Sequence, residues 1–420
     1  MKIITTGDWH IGNLFHGNDR LPEHKHFLEW LLSQIGEQHP DALLVAGDVF
    51  DNGNPSAAAQ SAYYEFLAEV TRLCPDMHVV ITAGNHDSAN RLEAPRPMLT
   101  RHNVEIRGLV RRYWVQSADQ AGWNIDYDDL MIPVAGSDGL KVVILAVPYL
   151  RSDIVRNESY SRGVRELLQN LCARAREKYP DSRLVMMAHM YATGADIAST
   201  GASEKIVIGG QEEVNMEGWT EHPDYMTCGH IHKRQHIMDT DWARYTGSVL
   251  PMSFAEVDYR HGVDLVTIIE GHKPTVEFLE YKPQHHLRIL PADDAELTPA
   301  KLKRLIDREL SDRNADGTLR DDFEYLMLKV KLEKVKNDDI RELEALIEQK
   351  NAVLCKIQKI IPTLDLSTIN GDRQIQSIDD ILKRDPLETL KETFAVRHNR
   401  EMSVHQEEML RSIIDSLEEE

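Results

Sequence analysis

Five short apolar runs in this chain end in residues that can bind a metal ion, and this pattern limits the possible folds more than any other feature. The runs are KIITTG, DALLVAG, VVITAG, LVMMA and YMTCG. The polar residues that follow them are Asp8, His10, Asp48, Asp51, Asn85, His86, His189, His230 and His232. Short apolar runs closed by Gly or Ala are typical of buried strands. Because ligands bind outside the carboxyl ends of strands in α/β sheets, these residues are predicted to converge.

Helices are predicted between several of these strands. Apolar residues recur at spacings of three and four in HKHFLEWLLSQIGEQ and SAAAQSAYYEFLAEVTRL, which is the helical period. Residues 1–282 are therefore predicted to form an α/β domain. Within it, a hairpin-like excursion is expected at about 113–140, where Gly122 and Gly139 lie among polar residues.

The pattern changes after residue 282. Thr298 followed by Pro299 predicts a helix start, and the strands FEYLMLKVKL and AVLCKIQKII flank a second helix. Residues 283–362, roughly 80 of them, are long enough for a small α+β domain. Pro362 and STINGDRQ then predict a linker.

Residues 363–420 hold two further helical patterns. Asp385 and Pro386 give one a capping signature, and the last helix is expected from about Ser403. Its narrow apolar stripe consists of Met409, Leu410, Ile413, Ile414 and Leu417. These helices either pack on their own domain or dock on a partner protein.

Composition narrows the class of protein. The longest apolar run, KVVILAVPYL, is about half of the ~20 residues of a membrane helix. We expect no signal peptide and no membrane span. The 4 cysteines are scattered, which favours a reducing cytoplasm. A net charge of −21 argues against binding nucleic acid by bulk attraction. Positive charge would have to come from metal ions, local basic patches or a partner.

The residue types at the strand ends favour a metal centre. Residues two apart in an extended chain project to one side, so Asp8 can act with His10, and His230 with His232. Carboxylates, imidazoles and one amide without a thiolate suit manganese, iron or zinc. Taken singly, His189 fits a packed residue, Asp48 a loop cap and GNHD a tight turn. Their conjunction favours two ions that share a bridging carboxylate.

The motifs DWH, GDVFD, GNHD, AH and GHIH resemble those of the calcineurin-like metallophosphoesterases, whose fold is a sandwich of two β-sheets flanked by helices. Within them, DWHIG, AGDVFD, AGNHDS and YTGSVLPMSF are similar to the nucleases of DNA double-strand-break repair. The resemblance implies an α/β fold, a four-layer αββα sandwich with a small α+β capping domain and C-terminal helices.

The resemblance also implies a role for each site residue. One metal would take Asp8, His10, Asp48 and His232. The second would share Asp48 and take Asn85, His189 and His230, with manganese expected for both ions. His86 would face the substrate and protonate the leaving 3′ oxygen or stabilise its charge. Asp51, at a position where archaeal and eukaryotic relatives often carry histidine, would orient His86. Apart from the resemblance, Asp87 is interpreted as a residue that either stabilises the turn or supports the ligands from behind.

The implied activity is two-metal hydrolysis of DNA phosphodiesters, as a 3′–5′ double-strand exonuclease and a single-strand or hairpin endonuclease. Such enzymes act in DNA repair, recombination and replication with an SbcC-type ATPase, which the C-terminal helices would bind. A homodimer is expected, with PSAAAQSAYYEFLAEV as a candidate contact.

Three alternative functions fit the sequence less well. Protein phosphatases of the superfamily carry an arginine after the second motif and GNHE in the third, whereas this chain has Gly53 and Asp87. Cyclic-nucleotide phosphodiesterases share GNHD but leave the α+β unit and the tail unexplained. A non-catalytic scaffold is disfavoured because every ligand position is filled.

Overall fold

The computed structural model describes residues 1–116, 121–155, 159–193, 195, 213–238, 240–293, 297–331, 335–360 and 407. Met1–Ile360 form one compact unit and Ile361–Glu420 form another. The predicted linker and tail helices fall in the second unit, of which only Glu407 is described. Among the described residues, no helix combines the length and apolar character that crossing a membrane requires.

The strands of the described residues, in chain order, are β1 (Lys2–Thr6), β2 (Leu14–Phe15), β3 (Asn18–Asp19), β4 (Ala42–Ala46), β5 (His78–Thr82), β6 (Val104–Arg107), β7 (Arg112–Gln116), β8 (Ala121–Ile125), β9 (Met131–Ala135), β10 (Lys141–Ala146), β11 (Arg183–His189), β12 (Tyr225–Gly229), β13 (Gln235–His236), β14 (Ala243–Tyr245), β15 (His261–Thr267), β16 (Thr275–Tyr281), β17 (Leu287–Leu290), β18 (Glu324–Lys331) and β19 (Ala352–Ile360). The helices are α1 (Leu21–Gln38), α2 (Ala57–Leu73), α3 (Ala89–Glu93), α4 (Arg96–Leu99), α5 (Tyr160–Lys178), α6 (Pro299–Glu309) and α7 (Asn337–Ile347).

Two six-stranded sheets form the body of the first unit. The strand order is β16-β15-β1-β4-β5-β6 in one sheet and β13-β14-β12-β11-β10-β9 in the other. Strands β1, β4, β5 and β6 run parallel, and so do β10, β11, β12 and β14. Because parallel strands place their carboxyl ends at one edge, the strand-end residues of each sheet lie together.

Strand β4 shows how the layers pack. All five of its residues are buried. Successive side chains point to opposite faces of the sheet, so both faces must be covered. Ala42, Leu44 and Ala46 face a core shared with the second sheet. Leu43 and Val45 face a core shared with helices α1 and α2.

Helix α5 covers the outer face of the second sheet. Its residues Leu167 and Leu171 pack in one core with Leu145 and Met186 of that sheet. The order of layers is therefore helices, sheet, sheet, helix. The four-layer αββα sandwich that the resemblance implied is confirmed.

A smaller α+β element lies between residues 287 and 360. Strands β17, β18 and β19 form a parallel sheet that packs with helices α6 and α7 around a core of its own. Thr298 is the N-cap of α6, as predicted. Strand β17 was not foreseen, because its run LRIL is too short to stand out. The proposed boundary at residue 282 and the capping role stay predictions.

The element joins the sandwich through aromatic side chains. Phe15 and Phe254 of the sandwich share a core with Leu287, Tyr325 and Met327. The ring centroids of Phe15 and Tyr325 are 5.2 Å apart. Elsewhere, β7 and β8 form the expected hairpin, although it is shorter than residues 113–140.

Candidate metal centre

The loops after β1 and β4 are joined by main-chain hydrogen bonds. The N–H of Asp8 donates to the carbonyl of Gly47 at 3.1 Å, and that of His10 donates to the carbonyl of Asp48 at 2.9 Å. These bonds continue the pairing of β1 and β4 beyond the sheet. They place the first two motifs side by side at its carboxyl edge.

Asp48 lies at the centre of the cluster. Its Oδ2 atom is 3.7 Å from His10 Nε2 and 3.3 Å from His189 Nε2. Its Oδ1 accepts a hydrogen bond of 2.9 Å from the main-chain N–H of His86. Donor atoms of His10, Asp48 and His86 lie within 4.8 Å of one another, and so do those of Asp8, Asp48 and His189. Asp48 thus belongs to both groups, as a bridging ligand must.

The fifth motif, GHIH, contacts the other motifs of the site through Asp8 and Asn85. Both carboxylate oxygens of Asp8 accept from the N–H of His230, at 2.9 and 3.0 Å. The Asn85 Oδ1 atom is 3.0 Å from His230 Nδ1 and 2.9 Å from His189 Nε2. His232 lies beside His10, with ring centroids 5.2 Å apart. The structure therefore brings all seven predicted ligands together.

His86 lies at the less buried side of the site. It is half-buried, as are Asn85 and His230, whereas Asp8, His10, Asp48, His189 and His232 are buried. Its Nδ1 atom is 2.8 Å from the main-chain carbonyl of Asp51. Since a carbonyl only accepts, Nδ1 carries the proton and Nε2 is left for substrate.

The side chain of Asp51 does not make the contact that was expected of it. Its Oδ1 accepts a hydrogen bond of 2.8 Å from Asn13 Nδ2 and lies 3.7 Å from His10 Nδ1. Asp51 thus contacts His86 through its main chain, because the loop turns the carboxylate towards Asn13. Any residue at this position has a main-chain carbonyl that could serve in the same way.

Asp87 ties two of the loops together. Its carboxylate accepts from the N–H groups of Val49, Phe50 and Gly84, at 3.1, 2.9 and 2.9 Å. Burial, and then the nearby Asp48 carboxylate, raises the pKa of Asp87 to about 6. Asp87 thus supports the loops that carry Asp48 and Asn85.

The backbone at the site takes unusual conformations. Four of the predicted ligands have positive φ: Asp8 at 50°, His10 at 48°, Asp48 at 49° and His230 at 101°. Backbone conformations of this kind are uncommon outside glycine and cluster at functional sites. Gly84 permits close approach, since a Cβ there would overlap Asp48 Oδ1.

The pKa values of the predicted ligands show that these side chains surround a position that favours positive charge. Burial raises the pKa of Asp8 to about 6. Burial lowers the pKa of His230 to about 3, and the neighbouring His189 adds to this shift. For His189, burial is outweighed by the Asp48 and Asp8 carboxylates, which raise its pKa to about 9. The Asp48 and Asp8 carboxylates therefore favour a positive charge at this position, which a bound cation would supply.

Comparison with known proteins gives the family. Residues 1–234 match the model of the calcineurin-like phosphoesterases. The SbcD subunit of the SbcCD nuclease of Rhodobacter capsulatus is 35% identical over 78% of this chain and 80% of its own. That of Escherichia coli is 31% identical over 71% and 72%, and that of Bacillus subtilis is 28% identical over 66% and 68%.

The chain belongs to the SbcD family of calcineurin-like phosphoesterases. It is therefore a metal-dependent phosphoesterase. The residues present fit divalent metal ions. His10 Nε2 is buried and has no hydrogen-bond partner in the part of the chain that the structure describes. His189 donates from Nδ1 to the carbonyl of Ala46 at 2.9 Å, and its Nε2 lies 2.9 Å from Asn85 Oδ1 and 3.3 Å from Asp48 Oδ2, where a metal ion would take the place of the Nε2 proton.

Sequence reasoning missed one side chain at this site. Glu256 is buried, and its Oε1 atom is 3.3 Å from His232 Nδ1. The available signal was weak: the residue follows the segment YTGSVLPMSF by two positions. Nothing in its spacing from the other motifs points to His232.

Proposed function

We propose that this chain is a DNA nuclease that hydrolyses phosphodiesters with two divalent metal ions, manganese in the first place. The observation that carries the proposal is the convergence of seven ligand-type side chains, with Asp48 at their centre and His86 at their less buried side. The family supports the substrate, since its members whose names are given above are nucleases. We propose both 3′–5′ exonuclease activity on duplex ends and endonuclease activity on single strands and hairpins.

The ligands divide into two sets around the shared carboxylate. Asp8, His10, Asp48 and His232 would hold one ion, and Asp48, Asn85, His189 and His230 the other. When bound, the ions polarise the phosphate, supply an activated water and neutralise developing charge.

His86 is placed to act as the general acid. As water attacks the phosphorus and the P–O3′ bond breaks, the 3′ oxygen gains negative charge and needs a proton or a positive partner. The carbonyl of Asp51 fixes the imidazole ring through Nδ1. With a hydrogen on each ring nitrogen, His86 would donate from Nδ1 to Asp51 and give the Nε2 proton to the leaving oxygen.

The experiment that tests this function is cleavage of end-labelled duplex and hairpin DNA in the presence of Mn²⁺. We expect cleavage that stops with chelator and that falls roughly 10²- to 10⁴-fold in His86→Ala. The exposed His102 supplies the control His102→Ala, which should leave the rate unchanged. Intact DNA together with hydrolysis of a cyclic nucleotide would overturn the nuclease assignment and leave a phosphodiesterase.

A second measurement distinguishes two possible roles of His86, general acid and metal ligand. In Mn²⁺ titrations, His86→Ala should retain both sites if His86 serves only as the acid. Loss of one bound ion would show instead that His86 is a ligand, which its closeness to His10 and Asp48 also permits.

We further propose two protein partners. The predicted helices in residues 363–420 would bind an SbcC-type ATPase, and the acidic net charge of −21 leaves that partner to provide positive surface for DNA. Removal of residues 363–420 should abolish co-elution with the ATPase.

Two copies of the chain would pair through α2, where Tyr64 and Leu73 are exposed apolar residues. A monomer in light scattering at micromolar concentration would contradict the dimer.

A further inference from the structure

The buried acid Glu256 contacts a predicted metal ligand from outside the ligand set. Its Oε1 atom is 3.3 Å from His232 Nδ1, and the exposed fraction is 1% for the glutamate side chain and 5% for the histidine. A carboxylate at this place accepts hydrogen bonds, so Nδ1 of His232 carries the proton. The Nε2 atom is then left with the lone pair that a metal needs.

The turn around Glu256 holds the carboxylate in a defined position. Its Oε2 accepts from the N–H of Met252 at 2.8 Å, and its Oε1 accepts from the Ser253 hydroxyl at 3.1 Å. Phe254 of the same 3₁₀ turn packs on Phe15, with ring centroids 5.3 Å apart. These contacts hold the Glu256 carboxylate in place, so the carboxylate can orient the imidazole ring of His232.

We infer that Glu256 is a positioning residue for His232: it selects the tautomer and the ring orientation with which His232 meets a divalent metal ion. The inference rests on the proposed ligand role of His232. A carboxylate behind a ligating imidazole also raises the basicity of the ligand, and loss of such a partner weakens metal binding.

The test is Mn²⁺ binding, followed by the electron paramagnetic resonance signal of the free ion in titrations of the full chain. We expect Glu256→Ala to weaken one of the two sites by roughly 10- to 100-fold. Glu256→Gln keeps an oxygen that can accept from Nδ1–H and should lose less, on the order of threefold. A purely structural role would not confine the change to one site.

Two further variants distinguish a failure of the proposed ligand set from a failure of the inference about Glu256. His232→Asn should weaken the same site; if it leaves both affinities unchanged, the proposed ligand set fails and this inference with it. If His232→Asn weakens binding while Glu256→Gln and Glu256→Ala do not, only the inference is overturned. Asp129→Asn removes a half-buried acid paired with Arg96 and is the control, with unchanged Mn²⁺ affinity.

Glu256→Ala can also lower stability, because it leaves the Met252 N–H without that acceptor. Unfolding in urea with chelator present measures this loss separately. Where Glu256→Ala does not fold, Glu256→Gln decides: a site weakened about threefold supports the inference, and unchanged affinity overturns it.

Discussion

The hydroxyl of Tyr325 donates a hydrogen bond of 3.0 Å to the carboxylate of Glu23, across 302 positions of sequence. Glu23 is buried and also accepts two bonds of 2.8 Å from Arg20, whose side chain is fully buried. The guanidinium lies over the rings of Phe15 and Tyr325. A buried ion pair thus joins the small α+β element to the sandwich, at the aromatic core that includes Phe254.

Tyr325→Phe removes one donor from a buried carboxylate and keeps the ring. We expect the free energy of unfolding to fall by about 1.5–3 kcal/mol, the range for hydrogen bonds to charged groups. Urea unfolding at pH 7 measures it. Tyr281→Phe is the matched control, because its hydroxyl contacts the His26 imidazole at 2.8 Å and should cost about 1 kcal/mol. Equal losses in the two variants would contradict a special role for the ion pair.

Gly84→Ala tests the close approach of backbone to Asp48. The new Cβ would overlap Asp48 Oδ1, so the carboxylate must move and the shared ligand is lost. We expect Mn²⁺ affinity to fall by roughly 10- to 100-fold or more. Gly122→Ala is the control, because its Cβ would meet no atom of the described residues within 4 Å. Undiminished Mn²⁺ binding in Gly84→Ala would show that Asp48 is not a ligand.

Metal removal should destabilise the protein. Ligands that bind only the folded state stabilise it by mass action, by about 2.7 kcal/mol at one hundred times the dissociation constant. The urea midpoint should therefore rise with Mn²⁺ concentration and fall with chelator. In His10→Ala the rise should shrink, whereas His102→Ala should behave as the unchanged chain. A midpoint that does not respond to Mn²⁺ would refute a metal site built from these residues.

Acid should destabilise the fold through His261. Burial lowers its pKa from 6.5 to about 4, and its Nδ1 lies 2.9 Å from the carbonyl of Ser248. Since the folded pKa is below the unfolded one, stability is fully present above pH 6.5 and is lost as the pH falls towards 4. The loss amounts to roughly 3 kcal/mol at 1.36 kcal/mol per pKa unit.

His261→Asn keeps a donor for Ser248 and removes the titration. The difference in unfolding free energy between this variant and the unchanged chain should therefore vary between pH 6.5 and 4. The exposed His102 provides the control variant His102→Asn, measured over the same range. A pH-independent difference for His261→Asn would show that His261 is not buried in its neutral form.

Much of the site was predictable because its chemistry follows local patterns. Strand β11 ends at His189 and β12 ends one residue before His230, as apolar runs closed by small residues indicated. Helix α2 begins after Ser56, whose hydroxyl accepts from the Ala59 N–H. These features depend only on residues that are neighbours in the chain, so they could be predicted from the sequence.

The sequence by itself determined the fold class, the strand ends and the types of side chain that gather there. Tertiary structure decided that the carbonyl of Asp51, and not its carboxylate, holds His86. It also placed Glu256 behind His232 and Tyr325 against Glu23. The reason is physical: periodicity and turn chemistry act over a few residues, whereas these contacts join loops and elements that only the packing of two sheets and a small α+β element brings together.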